Sequence, residues 1–226
     1  MLEVVFRLAL IFAATLGGVA VAQTPTPKEL GVYEALNRLR ADPDAWATIL
    51  KAERPWSPDK VRFFLGDDNA ARTEEAVRDL EEAIAALEAI RGGLPQLQLS
   101  PGLSHSAADH ARDSGVRGLT SHKGSDGSTP RERIQRYGTW SGRIGENIVY
   151  SNAGPRELIF QQLVDFGVPS RGHRLTLLNP AWRFVGIACG VHATYHAMCV
   201  LDFASDYQEA TASSRSPRSD RPGMIR

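Results

Sequence analysis

The chain has 226 residues, in which 26 Lys and Arg are balanced by 26 Asp and Glu, and 42% of positions are hydrophobic. Zero formal charge without a basic stripe excludes nucleic acid as the main partner, since a polyanion is held by clustered cations. The ordinary apolar share excludes both disorder over the whole length and a multi-pass membrane protein, and the length fits one domain.

Residues 1–22 stand apart from that average. Leu8 to Ala22 is nearly uncharged, follows Arg7, and closes on Ala20-Val21-Ala22 ahead of Gln23, which reads as a secretory signal peptide with a small-x-small cleavage site. The alternative is an uncleaved anchor. Under either reading the folded part is expected outside the cytoplasm, secreted, periplasmic or extracellular. Residues 23–29, with Thr24-Pro25-Thr26-Pro27, read as an extended lead-in.

Leu30, Tyr33, Leu36 and Leu39 then share one side of a helix that stops near Asp42-Pro43, and a second short helix follows. From Glu74 to Ile90, apolar residues at Val77, Leu80, Ile84, Leu87 and Ile90 predict an amphipathic helix ended by Gly92-Gly93. Its other side, with Glu75, Arg78, Asp79, Glu81, Glu82 and Glu88, reads as solvated. Pro101 after Ser100 opens another helix, which carries His105 and His110 as surface or packed residues. Thr129-Pro130-Arg131-Glu132 is a capping box for a short helix reaching Gly138, and Pro155 to Phe166 is a helix stopped by Gly167. Ile144 to Tyr150 reads as a strand, although Glu146 and Asn147 are poor choices for strand packing. Gln208 onward lacks apolar residues that could offset the entropy of ordering it, so a tail spanning 206–226 is expected to be disordered.

Residues 183–204 make the strongest strand pair. Folding the segment about Thr194 sets Cys189 opposite Cys199 and puts Val185, Ile187 and Val191 on one face with Ala197, Leu201 and Phe203. An exported protein oxidises two cysteines so opposed. The alternative is two buried thiols, because the face is a core face. His192 and His196 lie opposite each other on the second face and read as decoration of an exposed tip. The order of elements is not the alternation of a doubly wound sheet, so the fold expected is a mixed α/β sandwich with a small antiparallel sheet.

Serine-hydrolase, zinc-protease, nucleotide-loop and thiol-redox signatures are missing from the sequence. Polar residues gather instead in three loop-like places: residues 121–128 with His122 and Asp126, then Gly145-Glu146-Asn147-Ile148, then Ser170-Arg171-Gly172-His173-Arg174. Two imidazoles and a carboxylate beside glycines are groups that can bind a divalent metal.

Their order and wording resemble the CAP superfamily, also called SCP-like, in its bacterial branch. The resemblance adds Leu177-Leu178-Asn179-Pro180, Val185-Gly186-Ile187, Leu36-Asn37-x-x-Arg40-x-x-Pro43 and Leu97-x-Leu99-Ser100-x-x-Leu103, and it covers residues 30–205. It implies an α+β fold, a three-layer α-β-α sandwich, whose cleft is lined by His122, Glu146 and His173, with Ser170 and Asp126 beside them. It also implies a metal site, for Zn²⁺ or another divalent ion, made by His122, His173 and Glu146. Ser170 stands where many relatives have a second acid, which leaves Asp165 or Asp126 as a substitute. Three readings follow: a secreted binding module for a lipid or other small ligand or a cell-surface component, a metal-dependent hydrolase of peptide or cell-wall material, or an interaction domain with a structural cleft. The first is the favoured expectation, and catalysis is not.

Overall fold

The computed structural model of the chain describes residues 24–52 and 70–211. The expected signal peptide lies outside the described residues, as do residues 212–226 of the expected tail. Among the described residues no helix is long and apolar enough to cross a membrane.

Helix α1 (Pro27–Ala41) starts three residues before Leu30, because Thr26 and Glu29 form a reciprocal capping box with Pro27 in the first turn. The lead-in therefore ends at Thr26, not at residue 29. Val32, Leu36 and Leu39 are buried, whereas Leu30, six residues before Leu36 and so roughly 240° around a helix of 3.6 residues per turn, is exposed. Helix α2 (Pro43–Ala52) buries Trp46, Ala47 and Leu50. Helix α3 (Ala70–Glu88) buries Leu80, Ile84 and Leu87 of the expected stripe but leaves Val77 exposed. Its polar side is not wholly solvated. Asp79 is buried and pairs with Arg171, and Glu82 accepts from Arg171 Nε at 2.7 Å.

Strand β1 (Gln98–Leu99) leads to α4 (Pro101–Arg117), which is capped by Ser100 and closed by Gly118 in the left-handed region. Helix α5 (Pro130–Gln135) carries the Thr129–Glu132 capping box and ends earlier than Gly138, because strand β2 (Gly138–Val149) already begins there. Helix α6 (Pro155–Val164) is stopped by Asp165, itself left-handed, two residues before Gly167. A short helix α7 (Gly172–Leu177) occupies the segment read as a loop around His173. Strands β3 (Phe184–His192) and β4 (His196–Glu209) form the expected hairpin, and β4 runs past residue 205 into the expected tail.

The sheet order is β1-β3-β4-β2. β1 runs parallel to β3 and the other pairs are antiparallel, so the small sheet is mixed and not purely antiparallel. One face packs on α1, α6 and α7, with α2 and α3 outside them, around Leu36, Leu158, Leu163, Leu201 and Phe203. The other face packs on α4 and α5. This is the three-layer sandwich. Close approach of α4 to β3 depends on two glycines: a Cβ on Gly186 would land 2.0 Å from the Leu103 carbonyl carbon, and one on Gly115 would land 2.1 Å from Val191 O.

The hairpin register is the expected one, with Val185 opposite Phe203, Cys189 opposite Cys199 and His192 opposite His196. The Cys189 N–H points away from β4 and donates to Glu29 Oε1 at 2.8 Å. The cysteine pair is therefore a non-hydrogen-bonded one, where strands approach closely, and its Cα separation of 4.1 Å accommodates the Cys189–Cys199 disulfide. His192 is not tip decoration. It is buried, its Nδ1 accepts from the Thr194 and Tyr195 N–H groups, and its Nε2 meets Leu119 O. Replacing both cysteines by alanine is expected to lower the unfolding free energy by about 2–3 kcal/mol, the loop-closure contribution of a short disulfide loop, as read from denaturant titration.

Candidate functional site

Strand β2 forms one end of the sheet, and its alternation sends Glu146 towards α5 and Asn147 towards α6 and α7. Glu146 carries a side chain only 1% exposed. Its Oε2 accepts from Arg133 Nη2 at 2.6 Å and its Oε1 from His122 Nδ1 at 2.7 Å. Arg133 comes from α5 and is itself buried, and it also donates to Ser128 O at 2.9 Å and His122 O at 3.1 Å. One guanidinium thus fixes both the carboxylate and the backbone of the loop that carries His122. With Nδ1–H given to Glu146, the exposed His122 ring turns Nε2 outward.

On the other side of β2, Asn147 Nδ2 donates to His173 O at 3.0 Å and to Gln162 Oε1 at 2.9 Å. His173 Nδ1 donates to Asp165 Oδ1 at 2.6 Å, and Asp165 Oδ2 accepts the His173 N–H at 2.9 Å and the Arg174 N–H at 3.2 Å. Asp165 therefore starts α7 and sets the ring of its second residue at once. The left-handed Arg171 beside it is held by Asp79 and Glu82 of α3. Buried Arg174 donates to Leu163 O, Val164 O and Asp79 O. The two halves have the same design: a buried carboxylate holds Nδ1 of a histidine and leaves Nε2 outward.

Beneath Glu146 lies a second carboxyl. Asp202 is opposite Glu146 in the β2–β4 register and fully buried, next to Ser106 of α4. Both Asp202 oxygens and Ser106 Oγ are buried without a well-formed hydrogen bond. Burial, then the charge of Glu146, pushes the Asp202 carboxyl well above its ordinary value. Burial also acts upward on Glu146, but the His122 hydrogen bond and the Arg133 charge outweigh it and hold that carboxylate below its ordinary value. His110 of α4 is pushed down chiefly by burial. Its Nε2–H donates to Ser121 O at 2.8 Å, which leaves Nδ1 as acceptor for Ser114 Oγ.

Of the residues singled out in the sequence, His122 and Glu146 meet directly, and His173 reaches the same strand through Asn147. Asp126 turns away to the Ser128 N–H and to Arg136. Ser170 sits beside Gly172. Asp165 is not a spare ligand, because both of its oxygens are spent on His173 and the start of α7. Glu146 is committed to His122 and Arg133, and among the described residues no three His, Cys, Asp or Glu side chains are grouped to hold an ion. Arg133 and Asp202 escaped sequence reasoning. An aspartate inside Val200-Leu201-Asp202-Phe203, a stretch otherwise apolar, is the available signal for the second. A concavity bordered by Pro25, Glu29, Pro101, Ser104 and His105 lies at the starts of α1 and α4 and includes neither His122 nor His173.

These features define an α-β-α domain with a small mixed sheet whose end strand is contacted by a carboxylate-held histidine on one face and by the segment carrying a second on the other. The model of the CAP family, described as the cysteine-rich secretory protein family, matches residues 33–203, and the chain belongs to that family. Similar solved structures include an outer surface protein of Borrelia burgdorferi, at 19% identity and a TM-score of 0.42 over 60% of this chain and 90% of that one. Another is an extracellular protein of Bacillus anthracis containing an SCP domain, at 20% identity and a TM-score of 0.40 over 66% of this chain and 44% of that one. No curated protein matches the chain significantly.

The two buried carboxyls carry opposite pH signatures. Glu146, lowered in the folded state, contributes stability that is present above the ordinary glutamate range and lost as pH falls through its lowered folded value. Asp202, raised, holds a proton that the unfolded chain releases near pH 4, so it costs stability increasingly as pH rises from about 4 towards its folded value. Asp202→Asn is therefore expected to raise the melting temperature at pH 7, with the gain shrinking towards pH 4. Thermal scans across that range check it.

Proposed function

We propose that the chain is an exported binding module that recognises a polar ligand at the edge where His122 and His173 present their Nε2 atoms. The observation that carries this reading is the pair of carboxylate-held rings, in which buried acids fix the direction of an exposed imidazole, His122, and a half-buried one, His173. A residue kept only for packing does not require such orientation. A neutral imidazole Nε2 accepts, and a protonated one donates, so the pair suits hydroxyl, amide or carboxylate groups. The stretches beside it are polar: the His122 loop carries Ser121, Lys123 and Ser125, and the His173 segment carries Ser170 and Arg171. That favours a polar ligand over a lipid. Location outside the cytoplasm rests on the signal-peptide pattern of residues 1–22 and on the disulfide, which oxidising compartments maintain.

The test is a nitrogen-15 and carbon-13 NMR titration of the histidine rings with N-acetylated dipeptides, N-acetylglucosamine and octanoate in separate arms. The expected result is that millimolar polar fragments shift the His122 and His173 rings while the buried His110 and His192 stay still, and that octanoate shifts neither the His122 nor the His173 ring. His122→Ala and His173→Ala are each expected to weaken the responding fragment several-fold and to lower stability by about 1–3 kcal/mol, because each leaves a buried carboxylate short of one hydrogen-bond donor, with the fold retained by circular dichroism. Octanoate acting at both rings, or no response to either polar fragment, contradicts the reading.

A further inference from the structure

The backbone between the two histidines is an open strand edge. The Ile187 and Cys189 N–H groups donate to Ser104 Oγ and Glu29 Oε1, outside the sheet. In β3 it is therefore Gly186, Ala188 and Gly190 that bond to β4, through Asp202, Val200 and Met198. It follows that Cys199, Leu201 and Phe203 bond to β2, at Val149, Asn147 and Gly145. The main-chain N–H and C=O groups of Ile144 and Glu146 consequently point away from β4, on the side of β2 where no strand of the described residues lies. Glu146 as a whole residue is half-buried although its side chain is 1% exposed, so what reaches solvent there is its main chain.

Three exposed cations fringe this edge: Lys123 beside His122, Arg131 stacked over Trp140 of β2, and Arg143 of β2 itself. Among the described residues no carboxylate pairs with any of them. The acids on the same stretch are already engaged, Glu146 with His122 and Arg133, and Asp206 with Ser141 Oγ at 2.8 Å. Native sheets usually cover or bulge their edges, as β3 does here with Ser104 and Glu29, and as β2 does with its irregularity between Ser141 and Ile144. Among the described residues nothing covers the outward main chain from Ile144 to Glu146 in this way.

We propose that this edge accepts an extended acidic polypeptide segment as an added strand, paired through the main chain of Ile144 and Glu146 and flanked by His122 and His173. The inference rests on the binding-module reading and names its partner class. Two outward residues at a spacing of two offer alternating donors and acceptors, which is the pattern an extended peptide matches and a sugar or a lipid does not. The unpaired cations select acidic side chains on that strand. Ile144→Pro removes one outward donor without removing a bond to β4, a change that an edge strand tolerates.

The experiment uses the exported chain and an acetylated, amidated hexapeptide of alternating threonine and glutamate, with amide hydrogen exchange read by NMR. At a peptide concentration of about ten times its Kd, exchange at Ile144 and Glu146 is expected to slow about tenfold. The lysine counterpart and the fully N-methylated peptide are expected to give no protection, and Ile144→Pro and Arg143→Glu each weaken binding. Protection confined to other residues, equal binding of the N-methylated or lysine peptide, or amides at 144 and 146 already slow in the free chain would overturn the proposal. Loss of this result alongside intact ring shifts in the fragment titration discards the peptide and keeps the binding module.

Discussion

A carboxylate taken out of water needs a partner, and the arrangement around Glu146 follows from how that need is met. Arg133 supplies the countercharge from α5 and, with its remaining donors, seizes the carbonyls of the loop that carries His122. A buried ion pair gains little net stability over apolar packing, but removing one member of it costs several kcal/mol. What the pair contributes is position. His122 is oriented because Glu146 is fixed, and Glu146 is fixed because Arg133 is pinned at both of its ends.

The same logic holds on the opposite sheet face with different parts. Asp165 replaces Glu146 as the group holding Nδ1, but here the carboxylate is kept in place by backbone N–H groups at the start of α7, and Arg171 and Arg174 tie that turn to α3. The link between the halves is β2, whose consecutive residues Glu146 and Asn147 reach opposite layers. Asp202 beneath Glu146 limits how much charge this centre carries, since two adjacent buried carboxyls with one arginine between them favour a single negative charge. Glu29 plays a quieter part in the same fold. It closes the capping box of α1 and covers the β3 edge at Cys189, which leaves β2 as the sheet's accessible margin.

Much of the fold was legible because its signals are local. The hairpin register followed from alternation alone, and the capping box at Thr129 and the proline start after Ser100 marked helices that the chain forms. Leu30 is expected on the buried face, Asp79 on a solvated one and His192 at an exposed tip. Leu30 departs through the helix period itself, whereas for Asp79 and His192 distant residues decide the matter, the arginines after α6 and the Leu119 carbonyl. Within the site, His122, Glu146 and His173 stood out as polar residues among glycines. Arg133 did not, because an arginine in a capping-box helix looks like any solvated residue until α5 docks on the sheet. Asp165 was seen but given the wrong task, since a carboxylate eight residues before a histidine gives no hint from spacing that it bonds Nδ1 instead of a ligand.

The central claim is that Glu146 dictates which nitrogen of His122 is protonated. Long-range nitrogen-15 NMR of the histidine rings, recorded at a pH where the imidazoles are neutral, tests it most directly. The account predicts a protonated Nδ1 and a bare Nε2 at His122, a tautomer opposite to that of His110, whose Nε2–H is taken by the Ser121 carbonyl. A His122 ring carrying its proton on Nε2, or averaging freely between the two forms, would contradict it.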